Sequence, residues 1–80
     1  MKTKIIFEIN LSGTVHIVRA EYDSRELKYH VWCYENAHSD SRKATLLFET
    51  DLNGELGKIY AADKRSYANQ VHSELLNHFN

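Results

Sequence analysis

The stretch Ser66–Phe79 limits what this chain can fold into. At about 100° per residue it sets Tyr67, Ala68, Val71, His72, Leu75 and Phe79 along one side. Asn69, Gln70, Ser73, Glu74, Asn77 and Asn80 take the other side. That pattern is an amphipathic helix with one apolar stripe. At roughly 14 residues such a helix is marginal alone in water, so its stripe must lie against something. Almost everything before it reads as β-strand, so the expected partner is a sheet.

The strands follow in order. Lys4–Asn10 alternates Ile5, Phe7 and Ile9 with polar neighbours, apart from Ile6. Leu11-Ser12-Gly13 reads as a three-residue loop closed by a left-handed glycine. That register sets Ile9 opposite Val15, Glu8 opposite His16 and Phe7 opposite Ile17. A second strand spans Thr14–Tyr22, and the break Asp23–Glu26 leads to a third over Leu27–Glu35. Here Glu21 is expected opposite Lys28, Val18 opposite Val31 and Ile17 opposite Trp32. Asn36–Lys43 is polar and reads as the longest loop. Lys43–Leu52 is the fourth strand. Asn53-Gly54 then signals a two-residue type I′ turn, pairing Phe48 with Ile59 and Glu49 with Lys58. The fifth strand covers about Glu55–Ala61, with Gly57 a candidate bulge. Asp63 or Ser66 is suited to cap the helix. No proline interrupts any strand.

The expected fold class is therefore α+β. It is an antiparallel β-meander of four to five strands, with one C-terminal amphipathic helix packed on one face. The four-stranded alternative has Ile59–Ala62 joining the helix. Residues 1–80 are read as a single domain, since a chain of 80 residues has no room for two cores. A domain this small is marginal and commonly gains stability from disulfides, metal or a partner. Cys33 is the only cysteine, so no internal disulfide can form. A lone thiol suits a reducing compartment, and the expected location is cytoplasmic. The basic start Met1–Lys4 leads into an apolar run that Glu8 and Asn10 break too early for a signal peptide. No stretch is long enough to span a membrane.

Net charge is −1, with acids and bases interspersed. This argues against a basic face gripping DNA and against an acidic mimic of it. His38-Ser39-Asp40-Ser41 contains the residue types of a catalytic triad, but consecutive loop residues cannot adopt triad geometry. In the register above, His16 lies opposite Cys33, with Glu8 a third candidate ligand. His30 and Cys33 fall on opposite faces of a strand. His72 and His78 lie about 240° apart around the helix and cannot chelate together. No phosphate-binding loop, paired-cysteine motif or nucleophile elbow occurs. No catalytic residue, metal or cofactor is expected.

One face of the first three strands reads as Ile5, Phe7, Ile9, Val15, Ile17, Trp32 and Tyr34. The other reads as Ile6, Val18, Ala20, Tyr22, Leu27, Tyr29, Val31 and Cys33, diluted by Lys4, Glu8 and His16. Five strands span about 20 Å, whereas a helix is about 10 Å wide. Apolar surface is thus left for another chain. The expected function is a small non-catalytic protein-binding module acting through its sheet, in the size class of phage inhibitors, immunity proteins and antitoxins. Its binding residues are read as Tyr22, Lys28, Tyr29, Trp32 and Tyr34, with His38 and Arg42 from the long loop. The partner is a second copy, making a homodimer, or a heterologous target; no membrane is involved. The rival reading is single-stranded nucleic acid stacked on Tyr22 and Tyr29, with Lys4, Lys28, Arg42 and Lys43 on the backbone. Glu8, Glu21, Asp23 and Glu26 among them would repel phosphates.

Overall fold

The computed structural model describes residues 2–34 and 43–79. It has five strands, β1 (Lys4–Leu11), β2 (Thr14–Asp23), β3 (Lys28–Tyr34), β4 (Ala44–Thr50) and β5 (Leu56–Ile59). They form one antiparallel sheet in the order β1-β2-β3-β4-β5. A short 3-10 turn at Ala62–Lys64 leads into helix α1 (Arg65–Leu76). The fold is the α+β meander expected, with five strands rather than four.

The first hairpin departs from expectation by one residue. Leu11 belongs to β1 and pairs with Thr14, leaving Ser12-Gly13 as a two-residue turn. Both turn residues have positive φ, 55° and 86°, as a type I′ turn requires. The Asn10 Oδ1 accepts the Gly13 N–H at 3.0 Å and supports the turn. Leu11 is only 1% exposed, and its burial explains why the strand continues through it. The consequence is large, because a one-residue slip moves a whole strand's side chains to the other face. Phe7 lies opposite Val18 and Ile9 opposite His16, rather than Ile17 and Val15. Ile5, Phe7, Ile9 and Leu11 therefore share a face with Val18, Ala20, Val31 and Cys33. Three residues of one apolar set, Ile5, Phe7 and Ile9, thus join the other set, and Ile6 changes sides in the opposite direction.

The second hairpin is offset by two residues, which preserves the faces. Asp23 pairs with Lys28, Glu21 with His30 and Val18 with Cys33. The Asp23 Oδ1 accepts the N–H groups of Arg25 at 2.9 Å and Glu26 at 3.3 Å, and Leu27 takes φ 57° to close the loop. Between β3 and β4 an irregularity was not legible. Val31 faces Phe48 but Trp32 faces Leu46, so Leu47 is an extra residue. Leu47 and Phe48 are both fully buried as a result.

The last hairpin pairs Phe48 with Ile59 as expected, but its turn is not type I′. Gly54 alone has positive φ there, and its N–H bonds the Asp51 carbonyl at 3.2 Å. The Asp51 Oδ1 accepts from Asn53 at 2.8 Å and Glu55 at 2.9 Å. The loop thus holds three residues, Leu52-Asn53-Gly54. The next pairing shifts to Thr50 with Leu56, which places the extra residue of β5 around Gly57.

Helix α1 buries Ala68, Val71 and Leu75, with Tyr67, His72 and Phe79 partly buried beside them. Neither Asp63 nor Ser66 caps it; Lys64 holds the cap position with no side-chain bond. The helix touches both edge strands, so the sheet curls round it. At one edge His78 stacks on Phe7, with centroids 4.6 Å apart. At the other, His72 meets Phe48 edge-on and its Nε2 lies 2.7 Å from the Gly54 carbonyl. Tyr29 donates its hydroxyl to the Lys2 carbonyl, and the Lys2 Nζ donates to the His78 carbonyl at 2.6 Å, tying the chain's start to the helix end.

Two substitutions test this packing by urea unfolding. Gly13 and Gly54 share φ +86°, but a Cβ at Gly13 meets nothing within 4 Å. At Gly54 it would lie 2.9 Å from Leu76 and 3.1 Å from Phe79. Gly13→Ala is expected to cost about 1 kcal/mol and Gly54→Ala about 2–4 kcal/mol. Equal costs would contradict the helix position.

Candidate functional site

With β1 set in this register, the face away from the helix has a defined composition. Even-numbered residues of β1 and odd-numbered residues of β2 point outward together. The cross-strand pairs give one row of Ile6, Arg19, Trp32 and Leu46, and a second that begins with Glu8 and Ile17. Tyr34 continues the second row. Val15 lies at the end, 41% exposed, and Ile6 is 59% exposed at the edge. Trp32, Ile17 and Leu46 are half-buried. Arg19 sits in the middle. Its guanidinium lies 5.4 Å from the Tyr34 ring centre and its Nε 2.6 Å from a Glu21 carboxylate oxygen. The apolar stem of Arg19 thereby fills the gap between Ile6 and Trp32.

Beyond the apolar rows lies a polar cluster. Glu49 pairs with Lys28 and accepts the Tyr60 hydroxyl at 2.7 Å. Lys28 also reaches Glu26 at 3.2 Å. Glu49 is 7% exposed, and this company explains how a carboxylate can be so sheltered. The hydrogen bonds from Lys28 and Tyr60 hold the Glu49 carboxyl below its ordinary 4.5. Donating to Glu49 and Glu26 raises Lys28 above its ordinary 10.5, and donating to Glu49 raises Tyr60 above 10.0. Lys58 covers the other side of Tyr60, 4.9 Å from its ring centre.

The residues singled out by sequence separate into three groups. Trp32 and Tyr34 are on the outer face, with Lys28 at its polar border. Tyr29 is in the core at 1% exposure, and Tyr22 packs on it with ring centres 5.5 Å apart. Both tyrosines lie on the helix side, so Tyr22 and Tyr29 do not join Trp32 and Tyr34 in one binding surface as expected. That correction follows from the β1 register. It also takes away the stacking platform on which nucleic-acid binding rested. His38 and Arg42 lie outside the described residues. Ile6, Val15, Ile17, Arg19 and Leu46 were missed. The available signal was Leu11, an apolar residue in phase with Ile5, Phe7 and Ile9 that a loop would have wasted.

The inner face holds a cavity of about 100 Å³ between the sheet and the start of α1, lined by His16, Cys33, Leu47, Lys64 and Tyr67 among others. Burial pushes the Cys33 thiol up, with a smaller opposing pull from Lys64, so it stays protonated and a poor nucleophile. His16 holds its Nδ1 2.7 Å from the Tyr34 carbonyl. Glu8 is on the opposite face, so the ligand set His16, Cys33 and Glu8 is not assembled. Asp23, Glu26 and His30 do bring three ligand atoms within 4.8 Å of one another at the β2–β3 turn. Their carboxylates are already engaged, Asp23 with the turn amides and Glu26 with Lys28. Among the described residues no helix is long and apolar enough to cross a membrane.

No family model, curated protein or solved structure matches this chain.

The Glu49 cluster makes a testable contribution to stability. A carboxylate whose folded pKa is depressed stabilises the fold above its ordinary value and loses that contribution as pH falls through the folded value. Glu49→Gln should therefore be less stable than wild type by a constant margin between pH 4.5 and pH 10.0, below the range in which Tyr60 and Lys28 titrate. The margin should close as pH drops below 4.5. Chemical denaturation across pH measures it, and a margin that persists in acid would show that Glu49 acts through packing alone.

Proposed function

We propose that this chain is a small non-catalytic protein-binding module that docks another protein chain on the outer face of its sheet. The observation that carries the reading is the apolar surface of Ile6, Val15, Ile17, Trp32 and Leu46, which the described residues leave exposed or half-exposed. Its make-up suits an interface. Trp, Tyr and Arg are the residues most often found at energetic centres of protein contacts, and Trp32, Tyr34 and Arg19 adjoin here. The Lys28–Glu49–Tyr60 cluster borders the surface and gives it a polar rim. Burial keeps the Cys33 thiol of the inner face neutral, which suits a module that acts by docking. A stand-alone regulator or inhibitor working in a reducing compartment, the cytoplasm, is the role such a surface fits.

The test is capture of a partner from the source cell with wild type and three variants. Trp32→Ala and Leu46→Ser should lose the partner by more than tenfold in affinity, as expected for residues at the centre of a contact. Leu52→Ser, on an exposed turn remote from the patch, should keep it. Capture should vary little with salt, because the centre of the surface is apolar. Retention by Trp32→Ala, or steep salt dependence with nucleic acid recovered, would overturn the proposal.

A further inference from the structure

We infer that the open edge of β1 pairs with β1 of a second copy, joining two sheets into one about a two-fold axis through Ile6. The inference goes beyond the outer-face reading: it concerns the sheet's open edge and does not depend on what docks on that face. Leu11 and Thr14 flank a two-residue turn, so they form a hydrogen-bonded pair, and alternation assigns Ile9, Phe7 and Ile5 to bond β2 likewise. The Tyr22 N–H donating to the Thr3 carbonyl at 3.0 Å continues that series. Lys4, Ile6, Glu8 and Asn10 therefore turn their N–H and C=O groups away from β2. Among the described residues no backbone group meets them. β1 runs eight residues without a bulge, whereas the opposite edge, β5, has four and an irregular register. A long regular edge is a template for another strand, and β1 is the better one.

The side chains select the register. With Ile6 opposite the partner's Ile6, Lys4 falls opposite the partner's Glu8, and Glu8 opposite the partner's Lys4. Both charge pairs are attractive, and the most exposed apolar residues of the β1 edge cover each other. Neither Lys4 nor Glu8 has an ion-pair partner among the described residues. Centring the axis on Lys4 or Glu8 would oppose like charges. Centring it on Ile5 or Phe7 would set Ile6 against a charged side chain. Only the Ile6 axis satisfies all three positions with the free backbone groups in hydrogen-bonding phase. The two outer faces then run together, and Ile6 joins two apolar patches into one.

Sedimentation velocity from low to high micromolar concentration tests this, with circular dichroism to show that each variant is folded. Wild type should dimerise. Lys4→Glu and Glu8→Lys each turn two attractive pairs repulsive and should weaken the dimer about tenfold or more. An equimolar mixture of the two variants, or the double variant Lys4→Glu/Glu8→Lys, restores opposite charges and should restore the dimer. Leu52→Ser, on the exposed turn after β4, should leave it intact. A wild type that stays monomeric at high micromolar concentration, or a dimer indifferent to the charge reversals, overturns the inference. A dimer lost on Trp32→Ala but not on charge reversal would mean that copies meet face to face, which sinks edge pairing while the outer-face reading stands.

Discussion

The seat of Leu11 in the core determines most of what this molecule presents to its surroundings. A leucine at the end of a strand, next to a two-residue turn, has no loop in which to relax. Its burial pulls the turn onto Ser12-Gly13 and fixes which residue of β2 meets each residue of β1. Ile5, Phe7 and Ile9 then follow Leu11 inward, onto Val18, Ala20 and the helix. Ile6, out of phase with them, is left at the rim of the outer face beside Arg19. One side chain's burial thus sorts the apolar residues of a whole strand between a core and a surface.

The helix gains its stability from the same arrangement. Its stripe is short, and no side chain caps its start. It is held instead by Val71 and Leu75 in the core and by contacts at both edges of the sheet, Phe7 with His78 and Gly54 with His72. A sheet curled round one helix shelters its concave side almost completely. Among the described residues the convex side then has only its own side chains for cover. Arg19 over Tyr34 and the Lys28–Glu49–Tyr60 cluster supply part of that cover. Ile6 and Val15 remain bare.

Much of the fold was legible in the sequence. The helix face was, because Tyr67, Ala68, Val71, His72, Leu75 and Phe79 repeat at the helical period with nothing competing. The order of strands was, because polar turn residues separate the apolar runs; whether there are four or five was not, because Ile59–Ala62 suits either a strand or the helix. The turn types were not. Ser12-Gly13 and Asn53-Gly54 exchange the geometries expected of them, since Ser12 accepts positive φ to keep Leu11 buried while the Asp51 carboxylate holds a longer turn open. Local turn preference is about as weak as one buried leucine is strong, so tertiary packing decides. The candidate site inherited that error. Trp32 and Tyr34, read as binding residues on the face of Ile5, Phe7 and Ile9, lie on the outer face without those three, whereas Tyr22 and Tyr29 were offered to a partner and lie on the helix side. The bulge at Leu47 left no trace in composition, and the ion cluster at Glu49 needed β3, β4 and the residue that follows β5 to be in place.

The register of β1 against β2 is the point on which the outer face depends, and proton–proton contacts across the hairpin measure it directly. Residues that face each other without hydrogen bonds bring their Hα atoms close together. A nuclear Overhauser spectrum should show strong Hα–Hα contacts for Glu8 with Ile17 and for Ile6 with Arg19. Strong contacts one residue away, such as Glu8 with His16, would return Ile6 to the helix side and contradict the surface described above.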